Sequence, residues 1–208
     1  MLNVVRQLKN AQDRPELMVS HIRTDAALDA LEPEWNRLLE QCPATVFQSF
    51  EWARAWWKHF KGSRVLDCFV FRDHEILVGI APFFCDQVRF LGFLVARRLQ
   101  FLGTRLSDYL DILILPGYEE SVLRHLIQEL LSTESEWDVL DLEEVRATAM
   151  LVTRFPALLK EAGIRAYPYQ FNVCPRLALP GTWDDFLHQL GPSTRQNIRR
   201  KLRRLNDR

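Results

Sequence analysis

The stretch "LDILILPGYEESVLRHLIQELLS", residues 110–132, changes its apolar period half-way along. Up to Pro116 the apolar residues are nearly continuous, which reads as a buried strand; from Val122 they recur at steps of three and four (Leu123, Leu126, Ile127, Leu130, Leu131), which predicts a helix. Between them lies "PGYEES", 116–121, a turn whose Pro and Gly break both patterns. A strand feeding a helix through a short turn presents free backbone N–H groups at a positive helix end, where an anion can sit. The chemistry of this turn therefore bears on both fold and function.

Upstream, "LMVSHI" (17–22) predicts a short strand, and "TDAALDALEPEWNRLLEQC" predicts a helix capped by Thr24 or Asp25 and split at Pro33. "FQSFEWARAWWKHF" places Trp52, Trp56, Trp57 and Phe60 on a second helix with Ser49 as its cap. "RVLDCFVFR" (64–72) and "ILVGIAPFF" (76–84) predict an antiparallel hairpin, with Gly79 and Pro82 marking a bulge or an edge. "RRLQFLG" (97–103) is extended, "TRLSDY" is a polar loop, and 110–116 is extended again.

Downstream, "WDVLDLEEV" (137–145) predicts a strand, "ATAMLVTRFPALLKEAG" a helix closed by Gly163, and "IRAYPYQFNVCPRLAL" a further extended segment. "TWDDFLHQL" (182–190) predicts a short helix. The order is strand, two helices, three or four strands, helix, strand, helix, strand. It implies an α/β fold.

The 27 basic and 27 acidic residues are unevenly placed: residues 191–208, "GPSTRQNIRRKLRRLNDR", hold seven basic and one acidic residue. Ile198, Leu202 and Leu205 form one narrow apolar stripe there, with Arg195, Arg199, Arg200, Lys201, Arg203 and Arg204 expected to face outward. These cations suit an anionic partner, but the segment has no aromatic residue for base stacking and no recognition module around it, which argues against nucleic acid. Docking of this helix on a partner domain is the stronger expectation.

The four cysteines match neither a zinc spacing nor a disulfide framework, and are expected to be buried thiols in a reducing cytoplasm. The five histidines form no metal-binding pattern, so no metal is expected. No apolar run approaches the ~20 residues of a membrane span. Residues 1–16 read as a loose leader.

The strings "FQSFEWARAWWKHF", "LVGIAPFF", "QFLGTRLSDYLDILI", "WDVLDLEEV" and "STRQNIRRKLRRL" together resemble successive landmarks of the CelD-like acetyltransferases, relatives of the Fem-type aminoacyltransferases. The resemblance covers roughly residues 20–208. It implies a GNAT-like fold, a mixed and largely antiparallel sheet flanked by helices and opened like a V, with acetyl-coenzyme A or another acyl-coenzyme A as donor. The members are built from two GNAT-like halves. By that resemblance, 17–190 is the N-terminal half and 191–208 is the opening helix of a second half that this chain lacks, in cis or in trans. The resemblance further implies a small-molecule amine acceptor and a role in polysaccharide or envelope chemistry.

The turn "PGYEES" departs from the Gly-rich, basic pyrophosphate cradle of ordinary GNAT members: it has one glycine, no cation and two glutamates. This predicts that the chain alone neither holds the donor tightly nor transfers an acyl group. For the acceptor, Ser107, Asp108, Tyr109 and Asp111 interrupt two apolar strands with polar groups and are the candidate binding residues, with a simple turn as the plainer alternative. Trp52 and Trp56 are candidates for lining the same groove, although aromatic residues at helical spacing are more commonly core. Glu143 and Glu144 could act as a base, but read more simply as a solvated connection, so the catalytic residue stays open. The alternative function is a non-catalytic module that holds a protein or anionic partner through its cleft and basic helix.

Overall fold

In a computed structural model, residues 16–91, 93–134, 136–170, 172–175 and 177–206 are described, without the side chains of 94, 95 and 206. All of the expected leader except residue 16 lies outside them. The contacts divide the chain into one unit through residue 171 and another from residue 172.

The first unit contains β1 (Met18–Ile22), α1 (Asp25–Ala30), α2 (Glu32–Leu39), α3 (Phe50–Phe60), β2 (Val65–Asp73), β3 (Ile76–Phe90), β4 (Phe93–Phe101) and β5 (Leu113–Ile114). It continues with α4 (Glu119–Ser132), β6 (Val139–Leu140), α5 (Met150–Thr153) and α6 (Phe155–Glu161). The sheet order is β1-β2-β3-β4-β6, with β5 also on β3; every pairing is antiparallel except β4 with β6. This is the mixed, largely antiparallel sheet flanked by helices that the resemblance implies. Thr24 and Ser49 cap their helices as expected, accepting from the N–H of Ala27 and Trp52.

The central strands are buried on both faces, so they read as continuous apolar runs. Phe69, Phe71, Phe83 and Phe101 pack with Val122, Leu126 and Leu130 of α4 on one face; Cys68, Val70, Ile80 and Phe84 pack with Leu28, Trp35, Trp56 and Trp57 on the other. Helix α4 comes so close to the sheet that a Cβ on Gly79 would stand 3.0 Å from Val122 and 3.2 Å from Phe71. The bulge expected at Gly79 lies here, between the Phe71 and Arg72 pairings.

Along β3, Phe83 faces Phe101 and Ile80 faces Leu113. A three-residue step on β3 is thus matched by a twelve-residue step on its neighbour, so β4 and β5 are two parts of one line interrupted by an excursion, 102–112. Pro82 sits at the break and accepts from the Leu102 N–H at 2.8 Å. The nitrogen and carbonyl of a strand residue face the same neighbour, so the missing proline N–H falls where that neighbour leaves. Pro82 is therefore in a central strand and not at an edge.

Three other expectations change. The strand over 137–145 narrows to Val139–Leu140, the helix over 147–163 is two helices meeting at Arg154 before Pro156, and the described residues of 164–179 join no ladder. Among the cysteines, Cys68 is buried, Cys42 and Cys85 are partly buried, and Cys174 is exposed.

The second unit holds α7 (Trp183–Gln189) and α8 (Pro192–Asn206). Arg195 does not face outward: its guanidinium donates to the carbonyls of Leu187, His188 and Leu190 at 2.9, 3.2 and 3.0 Å, fastening α8 to the end of α7. Arg199, Arg200, Lys201, Arg203 and Arg204 are exposed, as are Leu202 and Leu205 of the apolar stripe.

Candidate functional site

The excursion leaves the carboxyl end of β4, and residues 141–145 leave the carboxyl end of its parallel neighbour β6. Carboxyl ends of parallel strands are where α/β sheets open a crevice. Glu144 stitches the two segments together. Its carboxylate accepts from the Thr104 hydroxyl at 3.1 Å and the Arg105 N–H at 2.9 Å, and its carbonyl accepts from the Leu110 N–H at 2.9 Å.

The backbone here is unusual. Arg105, Tyr109 and Glu144 have φ of 67°, 62° and 58°, a left-handed conformation uncommon for such residues, and Gly103 has φ of 98°. Strained residues of this kind persist only where surrounding contacts hold them. Ser107 supplies one such contact, donating to the Gly103 carbonyl at 2.7 Å and accepting from the Trp52 indole N–H at 2.8 Å. A Cβ on Gly103 would stand 2.7 Å from the Ser107 oxygen, so only glycine fits this turn.

The sequence candidates thus separate. Ser107 is buried, with its hydroxyl both donating and accepting, so it braces the loop, and Trp52 anchors that brace. Trp56 lies apart, buried beneath α3, stacked on Phe60 and tilted against Phe84. Asp108 is exposed. Tyr109 lies under the Arg146 guanidinium, 4.5 Å from its ring centre, a cation–π contact. Asp111 is partly buried and accepts from the Ile112 N–H at 2.8 Å; burial pushes its carboxyl up to about 6, against that hydrogen bond and the attraction of Arg146.

Glu144 is the residue that sequence reasoning undervalued. Burial raises its pKa, the Arg105 N–H and Thr104 hydroxyl work against that rise, and Glu143 and Asp141 add to it. The Tyr169 hydroxyl points to Glu143 at 3.5 Å. Partly buried carboxylates, the Tyr109 ring and the Arg146 guanidinium thus lie along these two segments, chemistry that suits an ammonium group. Among the described residues no three His, Cys, Asp or Glu side chains gather as a metal site.

The turn before α4 is occupied by its own side chains. Gly117 (φ 96°) donates its N–H to Glu119 at 2.9 Å, and Tyr118 donates its hydroxyl to Asp73 at 2.7 Å. Glu120 is held between Arg124 and Arg154, whose hydrogen bonds keep its pKa low. With one carboxylate on the Gly117 N–H and another fixed ionised beside it, these residues do not fit a pyrophosphate.

No family model matches the chain, and no curated protein matches it in sequence. Solved structures resemble it only distantly. The ribosomal-protein-alanine N-acetyltransferase from Brucella melitensis biovar Abortus 2308 is 16% identical with a TM-score of 0.45, over 77% of this chain and 99% of that one. The aminoglycoside 6'-N-acetyltransferase AAC(6')-Ih from Acinetobacter baumannii is 10% identical with a TM-score of 0.44, over 78% and 100%. The glucosamine-6-phosphate N-acetyltransferase from Arabidopsis thaliana is 8% identical with a TM-score of 0.43, over 76% and 98%.

Proposed function

We propose that this chain is the acceptor-binding, N-terminal half of a CelD-like acyltransferase, and that the acyl-coenzyme A site belongs to a second GNAT-like half supplied in cis or in trans. The observation that carries this reading is the turn before α4, where the Gly117 N–H is already taken by Glu119. The donor cradle of this half is closed by its own carboxylate. The crevice between the excursion and residues 141–145 is the acceptor side: Asp111 and Glu144 attract an ammonium, and Glu144, with its raised pKa, is placed to take a proton from it. Tyr109 and Arg146 form its wall. Helix α8, with its exposed leucines and five exposed cations, is the element offered to the second half.

Calorimetric titration of the chain with acetyl-coenzyme A, and resonance titration with glucosamine as a probe amine, test the two sides separately. No heat with the thioester, and shifts at Arg105, Tyr109 and Glu144 that vanish in Glu144→Gln, are expected. Low-micromolar thioester binding that is lost in Gly117→Val would return the donor site to this half.

A further inference from the structure

The ribbon of β3 and β4 runs on beyond the rest of the sheet. On one side β2 stops at the Val65–Cys85 pair; on the other β6 stops at the Arg98–Val139 pair, beyond which Asp138 donates its N–H to the Arg97 carbonyl and accepts from the Arg97 N–H and guanidinium. From Val88 to Phe90 and from Phe93 to Ala96, the two strands pair only with each other. At the end of this free ribbon Phe90, Leu91 and Phe93 are 69, 83 and 77% exposed.

Three bulky apolar side chains standing in water at one tip are costly, since removing apolar surface from water is favourable. The backbone makes them odder still. Leu91 has φ of 49°, a turn conformation suited to glycine or asparagine. A large apolar side chain thus occupies the position where turn geometry least favours one, and it makes no buried contact there.

We propose that this tip is a membrane-surface anchor, which lowers Phe90, Leu91 and Phe93 into the interface of an anionic bilayer. The dimensions agree: three residues of strand reach about 10 Å, and interfacial apolar groups sit about 5–10 Å deep. Charge is graded in the same direction. The only charged residue from 88 to 96 is Arg89, beside the tip, whose guanidinium donates to the Gln87 side chain at 2.6 Å and on docking would meet lipid phosphate; acidic residues begin at Asp86, behind the Gln87–Arg97 row. No helix among the described residues is long and apolar enough to cross a membrane. It is independent of the acceptor-half reading.

Cosedimentation of the whole chain with phosphatidylcholine–phosphatidylglycerol vesicles tests it. The chain is expected to sediment, Leu91→Asp to lose roughly tenfold or more in affinity, and Leu91→Trp to bind as well as the parent, with all three giving the same near-UV dichroism. A chain that stays in the supernatant overturns the proposal, and so does undiminished binding of Leu91→Asp. Binding that salt abolishes while the tip substitution leaves it unchanged assigns the attraction to the cations of α8 and equally refutes insertion of the tip.

Discussion

Glu144 accepts a hydrogen bond from the N–H of Arg105 at 2.9 Å, and both residues are in the left-handed region, at φ of 58° and 67°. Two uncommon conformations thus face each other across a gap between segments and are joined through one carboxylate. Removing that carboxylate leaves a strained loop without its tie. Glu144→Ala should cost about 1–3 kcal/mol in urea unfolding, the usual penalty for a buried donor left without a partner, here the Thr104 hydroxyl. Glu144→Gln, which keeps one acceptor oxygen, should cost clearly less. Equal stability of Glu144→Ala and the parent would mean that the excursion holds its shape without it.

Asp111 makes the fold sensitive to mild acid in an unusual direction. Its carboxyl titrates near 6 in the folded chain and at an ordinary carboxylate value of about 3.9 when unfolded. The folded state therefore binds the proton more tightly, so this group's contribution to stability falls as pH rises from about 4 to 6, by at most about 3 kcal/mol. Asp111→Asn keeps the acceptor for the Ile112 N–H but has nothing to ionise. It should be more stable than the parent at neutral pH, and its melting temperature should lose the parent's decline over that window.

His21 acts at higher pH. Its Nδ1 lies 2.8 Å from Asp67 and its Nε2 3.4 Å from Glu129, so one ring joins β2 to α4; Arg23 shares Asp67 and reaches Glu136. The hydrogen bond to Asp67 raises the imidazole pKa above its ordinary value; burial opposes this, the charge of Asp67 and the Glu129 contact reinforce it, and Arg23 weakens it. Stability from this pair is fully present below about pH 6.5 and is lost as pH rises through the folded value. Unfolding free energies at pH 6 and pH 9 should differ for the parent by more than for His21→Gln. An identical difference in both would remove the imidazole from the account.

Most of the scaffold was legible because its signals are local. Thr24 and Ser49 announce their helices, the period change after Pro116 announces α4, and the hairpin at Asp73–Glu75 is bounded by two apolar runs. The misreadings within the sheet share one cause, which is that a partner strand decides them. Pro82 looks like an edge residue, but its neighbour turns away at that row. Residues 141–145 look like more strand, yet Glu144 bends out to meet Thr104 and Arg105. For the same reason the polar triplet 107–109 was visible as an interruption, while the roles within it were not: Ser107 turns inward to Trp52 and Tyr109 lies under Arg146. Arg195 reads as a surface charge because nothing in a helical repeat shows three carbonyls waiting at the end of the preceding helix.

The interruption between Phe101 and Leu113 has a consequence for how this architecture can change. Its two ends are fixed to β3 positions only three residues apart, at Phe83 and Ile80, roughly 10 Å of strand. Leu102, Leu110 and Ile112 bury the ends of the insert, whereas Arg105, Leu106 and Asp108 are exposed. Because lengthening a closed loop costs only about 0.6 kcal/mol for each doubling, the middle of this insert can be exchanged or extended while the sheet continues in register on either side. The outer part of the insert can then be rewritten as a cassette, with Glu144 as the fixed clasp on which each new insert has to close.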